Sequence, residues 1–144
     1  MRRVVNLYES SVGKKIVMAL TGALLFFFVL AHMLGNMKIY MGAAAFDEYA
    51  AFLREVGHPA FPHGALLWLF RLVLLAAAGL HILSATQLYL ISRRARRTGY
   101  ELNEDLSFSY ASRTMRWGGL ILLAFVVYHI LHLTLGSVHP DFHH

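Results

Sequence analysis

Three of the nine histidines, His32, His81 and His129, lie inside three different long apolar stretches of the chain. An imidazole at that depth in hydrocarbon is costly, so it is held by a specific partner or used as a ligand. A neutral imidazole is a strong axial ligand to haem iron, and two facing helices can place one ring on either side of a porphyrin. A lone intramembrane histidine more often packs helices or relays protons. Three of them, one per stretch, favour haem.

The elements that must position these rings follow from hydropathy. A helix needs about 20 apolar residues to cross a hydrocarbon core. Three segments qualify, at about 16–34, 66–91 and 117–136. The first and third carry no Asp, Glu, Lys or Arg, and the second carries only Arg71. Helix rise then sets depth: His32 lies about 25 Å beyond Lys15, whereas His81 lies about 18 Å from Arg93. His129 counted from Arg113 and His132 counted from Arg116 are each about 24 Å in, so either matches His32. The two are three residues apart and share roughly one helical face. One outer haem between helices one and three follows, with His81 nearer the inner side and lacking an opposite ligand in this chain.

Arg71 is the other costly intramembrane residue. With an outer haem expected, its guanidinium is read as a partner for the haem propionates, with snorkelling to headgroups as the competing use. Gly22, Gly79 and Gly118-Gly119 remove side-chain bulk within the spans. That permits close approach of a helix or a macrocycle.

Composition agrees with a membrane protein. Of 144 residues, 58% are hydrophobic, more than one small soluble core can hide. Cysteine is absent, which excludes disulfides, thiolate-held iron-sulfur clusters and covalent haem attachment, so a redox centre here is held by histidine. The first apolar run is too long for a cleavable signal and leads into a structured loop, so a retained helix is expected. The net charge of +5 is topological rather than a nucleic-acid footprint. Arg2, Arg3, Lys14, Lys15, Arg93, Arg94, Arg96, Arg97, Arg113 and Arg116 flank one side of the spans, against Lys38 and Arg54 on the other. This bias places the N-terminus and second loop in the cytoplasm of a multi-pass inner-membrane protein.

No domain boundary or internal repeat interrupts residues 1–144, which read as a single domain. Between the first two spans, Phe46, Tyr49, Leu53 and Val56 recur at helical spacing, giving a short outer helix at about 43–56 that caps the bundle or lies on the membrane. Gly57-His58-Pro59 and Pro62-His63-Gly64 then break the chain. His58, His63, His139, His143 and His144 fall outside the spans and are read as solvated. The RRARR run at 93–97 suits anionic headgroups, an acidic partner or a plain stop-transfer flank.

Motifs in order along the chain, SSVGKKIVMALTG and LAHMLGN in helix one, GLHILSA in helix two, SYASRTMRWGG and FVVYHILH in helix three, give a specific resemblance covering essentially its whole length. The chain resembles the cytochrome b membrane-anchor subunit of bacterial succinate dehydrogenase (succinate:quinone oxidoreductase, complex II), of the single-polypeptide dihaem class. The resemblance implies an all-α integral membrane protein whose three helices are part of a five-helix haem-binding bundle with two b haems. It puts His32 and His129 on the distal haem and His81 on the proximal haem, whose second ligand comes from a fourth helix. His132 then becomes a hydrogen-bonding or quinone-contacting residue near the distal haem. Where family members continue into two further helices, this sequence runs only to HisProAspPheHisHis, so a partly represented subunit, or helices from another chain, is expected.

The implied role is electron transfer without a catalytic domain of its own: the anchor docks an iron-sulfur subunit and a flavoprotein subunit and passes electrons to a quinone, menaquinone being expected. The chain lacks the cysteines and the phosphate-binding glycine loop that the soluble chemistry needs. For quinone near the inner face, Ser11, Lys15, Tyr110, Arg113 and Arg116 are the candidates, since hydroxyls and cations can hydrogen-bond its carbonyl oxygens. Two other readings compete: the haem b anchor of a hydrogenase or formate dehydrogenase, and a haem-free membrane protein with proton-relaying histidines.

Overall fold

The computed structural model describes residues 8–95 and 110–138, the side chains of 111–113 and 116 excepted. These residues are helical, with no strand among them. Residues 8–95 and 110–138 belong to two separate units.

The first unit opens with α1, Ser11–Asn36. The helix begins five residues before the apolar run because Ser10 caps it. Ser10 is extended, and its hydroxyl accepts a hydrogen bond from the Gly13 N–H at 2.9 Å, satisfying one of the orphan donors of the first turn. Lys14 and Lys15 therefore sit inside the helix rather than ahead of it. After Asn36 the chain tightens into a 3-10 turn, Met37–Met41. Gly42, at φ +102°, then resets the backbone for the short helix α2, Ala43–Glu55.

On α2 the expected stripe of Phe46, Tyr49, Leu53 and Val56 is half-buried, and Asp47, Glu48, Arg54 and Glu55 are exposed. Tyr49 is seated on α1: a Cβ built on Gly35 would lie 2.8 Å from its hydroxyl oxygen. Lys38 stands over the same ring, 5.3 Å from its centroid. Of the two roles open to α2, these contacts fit the cap.

A tight reversal follows. Gly57, at φ +91°, carries a carbonyl that accepts from Phe61, and the Gly64 N–H donates back to Arg54 at 2.7 Å. A Cβ at Gly57 would meet Leu66 at 2.6 Å, so both the backbone and the space call for glycine there. The exposed His58 and His63 rings stack at 4.3 Å with planes 17° apart, so the two are solvated as a pair rather than singly.

Helix α3, Ala65–Ala95, has 31 residues and ends on Arg93 and Arg94. It is about 46 Å long at 1.5 Å per residue. It packs along α1. The second unit is α4, Tyr110–His129, continued by a π-helical turn, Ile130–Thr134. The turn is closed by a bond from the Leu135 N–H to the Ile130 carbonyl at 2.9 Å. Gly136 at φ +64° then lets the Ser137 N–H and hydroxyl reach the Leu131 carbonyl, ending the helix.

Three stretches, Ser11–Met41, Ala65–Ala95 and Trp117–Thr134, are long and apolar enough to span a membrane. Among the described residues only Ala77 is a buried apolar side chain, while Leu20, Phe27 and Leu122 are each more than 60% exposed. A water-soluble chain would not leave that surface wet. These are the features of a membrane protein whose apolar solvent is the bilayer.

Candidate functional site

The best-defined polar feature of the spans lies where α1 and α3 pack. The Nδ1 atom of His81 on α3 is 3.0 Å from the Met18 carbonyl oxygen and 3.3 Å from the Thr21 hydroxyl on α1. Thr21 donates its own proton within α1, to the Val17 carbonyl at 2.6 Å. The ring rests on Gly22, where a Cβ would stand 3.0 Å from His81 Cε1. The half-buried His81 ring thus takes the place of a side chain on α1, and Gly22 is the glycine whose spacing role is borne by geometry. Gly79, Gly118 and Gly119 have nothing within 4 Å of a built Cβ among the described residues. His81 Nε2 has no hydrogen-bond partner among the described residues.

Further polar groups lie beside this contact, toward the start of α1 and the C-terminal half of α3. Ser84, one turn along α3 from His81, is 0% exposed, and its hydroxyl has no hydrogen-bond partner among the described residues. Gln87, another turn on, accepts from the Tyr8 hydroxyl at 3.2 Å. Lys14 is 9% exposed; its ammonium donates to the carbonyls of Tyr8 at 3.0 Å and Glu9 at 2.8 Å and stands 5.1 Å from the Tyr8 ring centroid. Through Gln87 these interactions tie the residues ahead of α1 to the C-terminal half of α3.

His32 behaves differently. It follows Leu25 by seven residues and Thr21 by eleven, so it shares the α1 face that packs on α3. Leu25 and Thr21 are half-buried there, yet His32 is exposed. On its own helix it meets the Phe28 ring at 5.3 Å and the Asn36 amide nitrogen, which lies 3.2 Å from Nδ1 and 2.7 Å from the His32 carbonyl oxygen. Arg71 precedes His81 by ten residues, as His32 follows Gly22 by ten. In an antiparallel pair both therefore stand about 15 Å from the Gly22–His81 contact, toward the C-terminal end of α1. Arg71 is half-buried, displaced about a quarter-turn from the direction of His81, with its guanidinium 4.9 Å from the Trp68 ring centroid.

In the second unit His129 is the last residue of α4, half-buried, with its ring 5.7 Å from that of Phe125. His132 falls within the π turn, half-buried, 5.4 Å from the Tyr128 ring. A π turn rotates less per residue than an α-helix, so His129 and His132 diverge further from a shared face than regular spacing implies. Such turns recur at functional sites.

Of the quinone candidates, Ser11 and Lys15 are exposed in the first two turns of α1, and Tyr110 is exposed at the start of α4. The backbone of Arg113 and Arg116 is within α4, and their side chains lie outside the described residues, as do Arg2, Arg3, Arg96, Arg97 and the three histidines at 139, 143 and 144. Ser11 and Lys15 fall in one unit and Tyr110, Arg113 and Arg116 in the other. Sequence reasoning passed over Thr21, Asn36, Lys14 and Ser84. The i+4 spacing of Asn36 from His32 was a readable signal for one of them.

Among the described residues no three His, Cys, Asp or Glu side chains cluster as a metal site; a haem would need only axial rings, which His32, His81 and His129 carry. No protein-family model, no curated protein and no solved structure matches the chain.

Proposed function

We propose that this chain is the haem b-containing membrane anchor of a succinate dehydrogenase, docking iron-sulfur and flavoprotein subunits on the cytoplasmic side of the inner membrane and passing their electrons to a quinone. The observation that carries the reading is one histidine in each of three spanning helices, within ordered motifs that resemble that family, with His81 held at Nδ1 and its Nε2 without a hydrogen-bond partner among the described residues. Ligating histidines are commonly held in this way, with one nitrogen on a backbone carbonyl and the other toward the metal.

In this reading His32 and His129 hold the distal haem, His81 holds the proximal one with a ligand from outside this sequence, and the three helices are part of a five-helix bundle. Haem iron supplies one-electron relay between the soluble subunits and the quinone. The chain's residues do the rest. α1 and α3 fix the His81 ring, Arg71 neutralises propionate charge in the outer half, and His132 hydrogen-bonds near the distal haem. Ser11, Lys15, Tyr110, Arg113 and Arg116 supply hydroxyl and cationic donors to quinone carbonyls at the inner face.

The test is a reduced-minus-oxidised visible spectrum of the complex purified from membranes, with succinate as reductant. Low-spin b-type bands reduced by succinate are expected. Absence of b bands removes the haem, and bands reduced by hydrogen or formate but not by succinate replace the partner.

A further inference from the structure

The neighbours of His81 carry more than its position. The Met18 carbonyl oxygen can only accept a hydrogen bond, so at 3.0 Å the proton between them belongs to His81 Nδ1. The Thr21 hydroxyl has its proton committed to Val17 and meets the same Nδ1–H as a second acceptor, at 3.3 Å. A neutral imidazole that donates from Nδ1 keeps its lone pair on Nε2. Gly22 completes the seat, because any side chain there would occupy the space of the ring.

We infer that Met18, Thr21 and Gly22 of α1 are positioning residues that fix His81 of α3 as the Nε2 ligand and set its electron-donating strength. The inference rests on the haem reading above. Acceptors on Nδ1–H draw that proton away and make the ring a stronger donor at Nε2. A stronger axial donor favours ferric over ferrous iron, lowering the potential of the haem it holds. The effect is felt fully inside the bilayer, where a hydrogen bond is screened less than in water.

The test is a potentiometric titration, with low-spin EPR, of the assembled complex carrying Thr21→Val or Thr21→Ser. Valine keeps the shape of threonine and removes the acceptor; serine keeps the acceptor. Thr21→Val is expected to raise the midpoint potential of the haem that His81→Ala abolishes, with the other haem unmoved, and Thr21→Ser to return it towards the wild-type value. Gly22→Ala, which drives a methyl into His81, is expected to shift the largest g value of the same haem. Unchanged potentials and spectra in Thr21→Val and Gly22→Ala overturn the inference while leaving the haem reading standing. A wild-type complex without a His81-dependent haem overturns both. If Thr21→Val does not assemble, Thr21→Ala and Thr21→Ser decide by the same potential: a raised value in alanine alone supports the role, and equal values reject it.

Discussion

The two halves of the α1–α3 pair, the one at the start of α1 that the charge bias reads as inner and the one at its end read as outer, are built in opposite ways. In the inner half the facing surfaces are closed and polar: Lys14 and Ser84 are buried, His81 rests on Gly22, and Tyr8 reaches Gln87. In the outer half the same face of α1 comes into the open at His32, and Phe70 on α3 is 63% exposed. His81 is held from the neighbouring helix, whereas His32 meets Asn36 and Phe28 of its own helix and is exposed. The pair therefore teaches that depth alone does not make two histidines equivalent. His81 is positioned by α1 and α3, while His32 stands exposed further along the same face of α1.

The largest effect that would sharpen this contrast is on the outer site. On the proposed haem reading, His32→Ala and His129→Ala are each expected to remove one full haem equivalent, the distal one, while leaving the helix pair assembled. Haem content by pyridine haemochrome, alongside the detergent-unfolding midpoint, reads both. Retention of bis-histidine low-spin spectra at full stoichiometry in both variants would show that the pairing is wrong. A steric test of the inner half comes next. Gly22→Val collides with His81 and should cost about 1–3 kcal/mol of stability, whereas Gly79→Val enters open space and should cost much less. Equal unfolding midpoints for the two would break the claim that the inner half is tightly closed.

Smaller effects separate the neighbouring lysines. Lys14→Met strips donors from the Tyr8 and Glu9 carbonyls and should cost about 1 kcal/mol, with Lys15→Met near zero, measured by the same unfolding curve. The smallest and most diagnostic change is Ser84→Ala. Its hydroxyl is buried with no partner among the described residues, so its removal is expected to be neutral or stabilising by up to about 1 kcal/mol. A clear loss of stability would reveal a hydrogen bond, such as one to a buried water, that Ser84 makes in the membrane.

The spans were legible from the sequence because hydropathy over 20 residues is a property of the segment and needs no partner. Their ends were not: α1 starts at the Ser10 cap, inside what reads as a charged flank, and α3 runs on through Arg93 and Arg94. Helical spacing correctly gathered Phe46, Tyr49, Leu53 and Val56 on one face, but that Tyr49 lands on Gly35 depends on how the turn at Met37–Met41 aims α2. For the histidines, rise along a helix separated His81 from His32, yet gave no means of seeing which ring another helix would grip. Lys14 and Lys15 are adjacent and chemically alike, and only the path of residues 8–10 distinguishes them. The π turn after His129 left no mark in composition, since Ile130–Thr134 reads as ordinary apolar helix.

Measured along α3, the Gly22–His81 contact stands about 24 Å from one end and about 21 Å from the other. It is close to the fulcrum of a balanced beam. On the C-terminal arm Tyr8 latches Gln87, about 9 Å from His81, and the N-terminal arm begins where Leu66 leans on Gly57. Because the contact stands near the middle of α3, any tilt of that helix about His81 would carry its two ends by similar amounts in opposite directions.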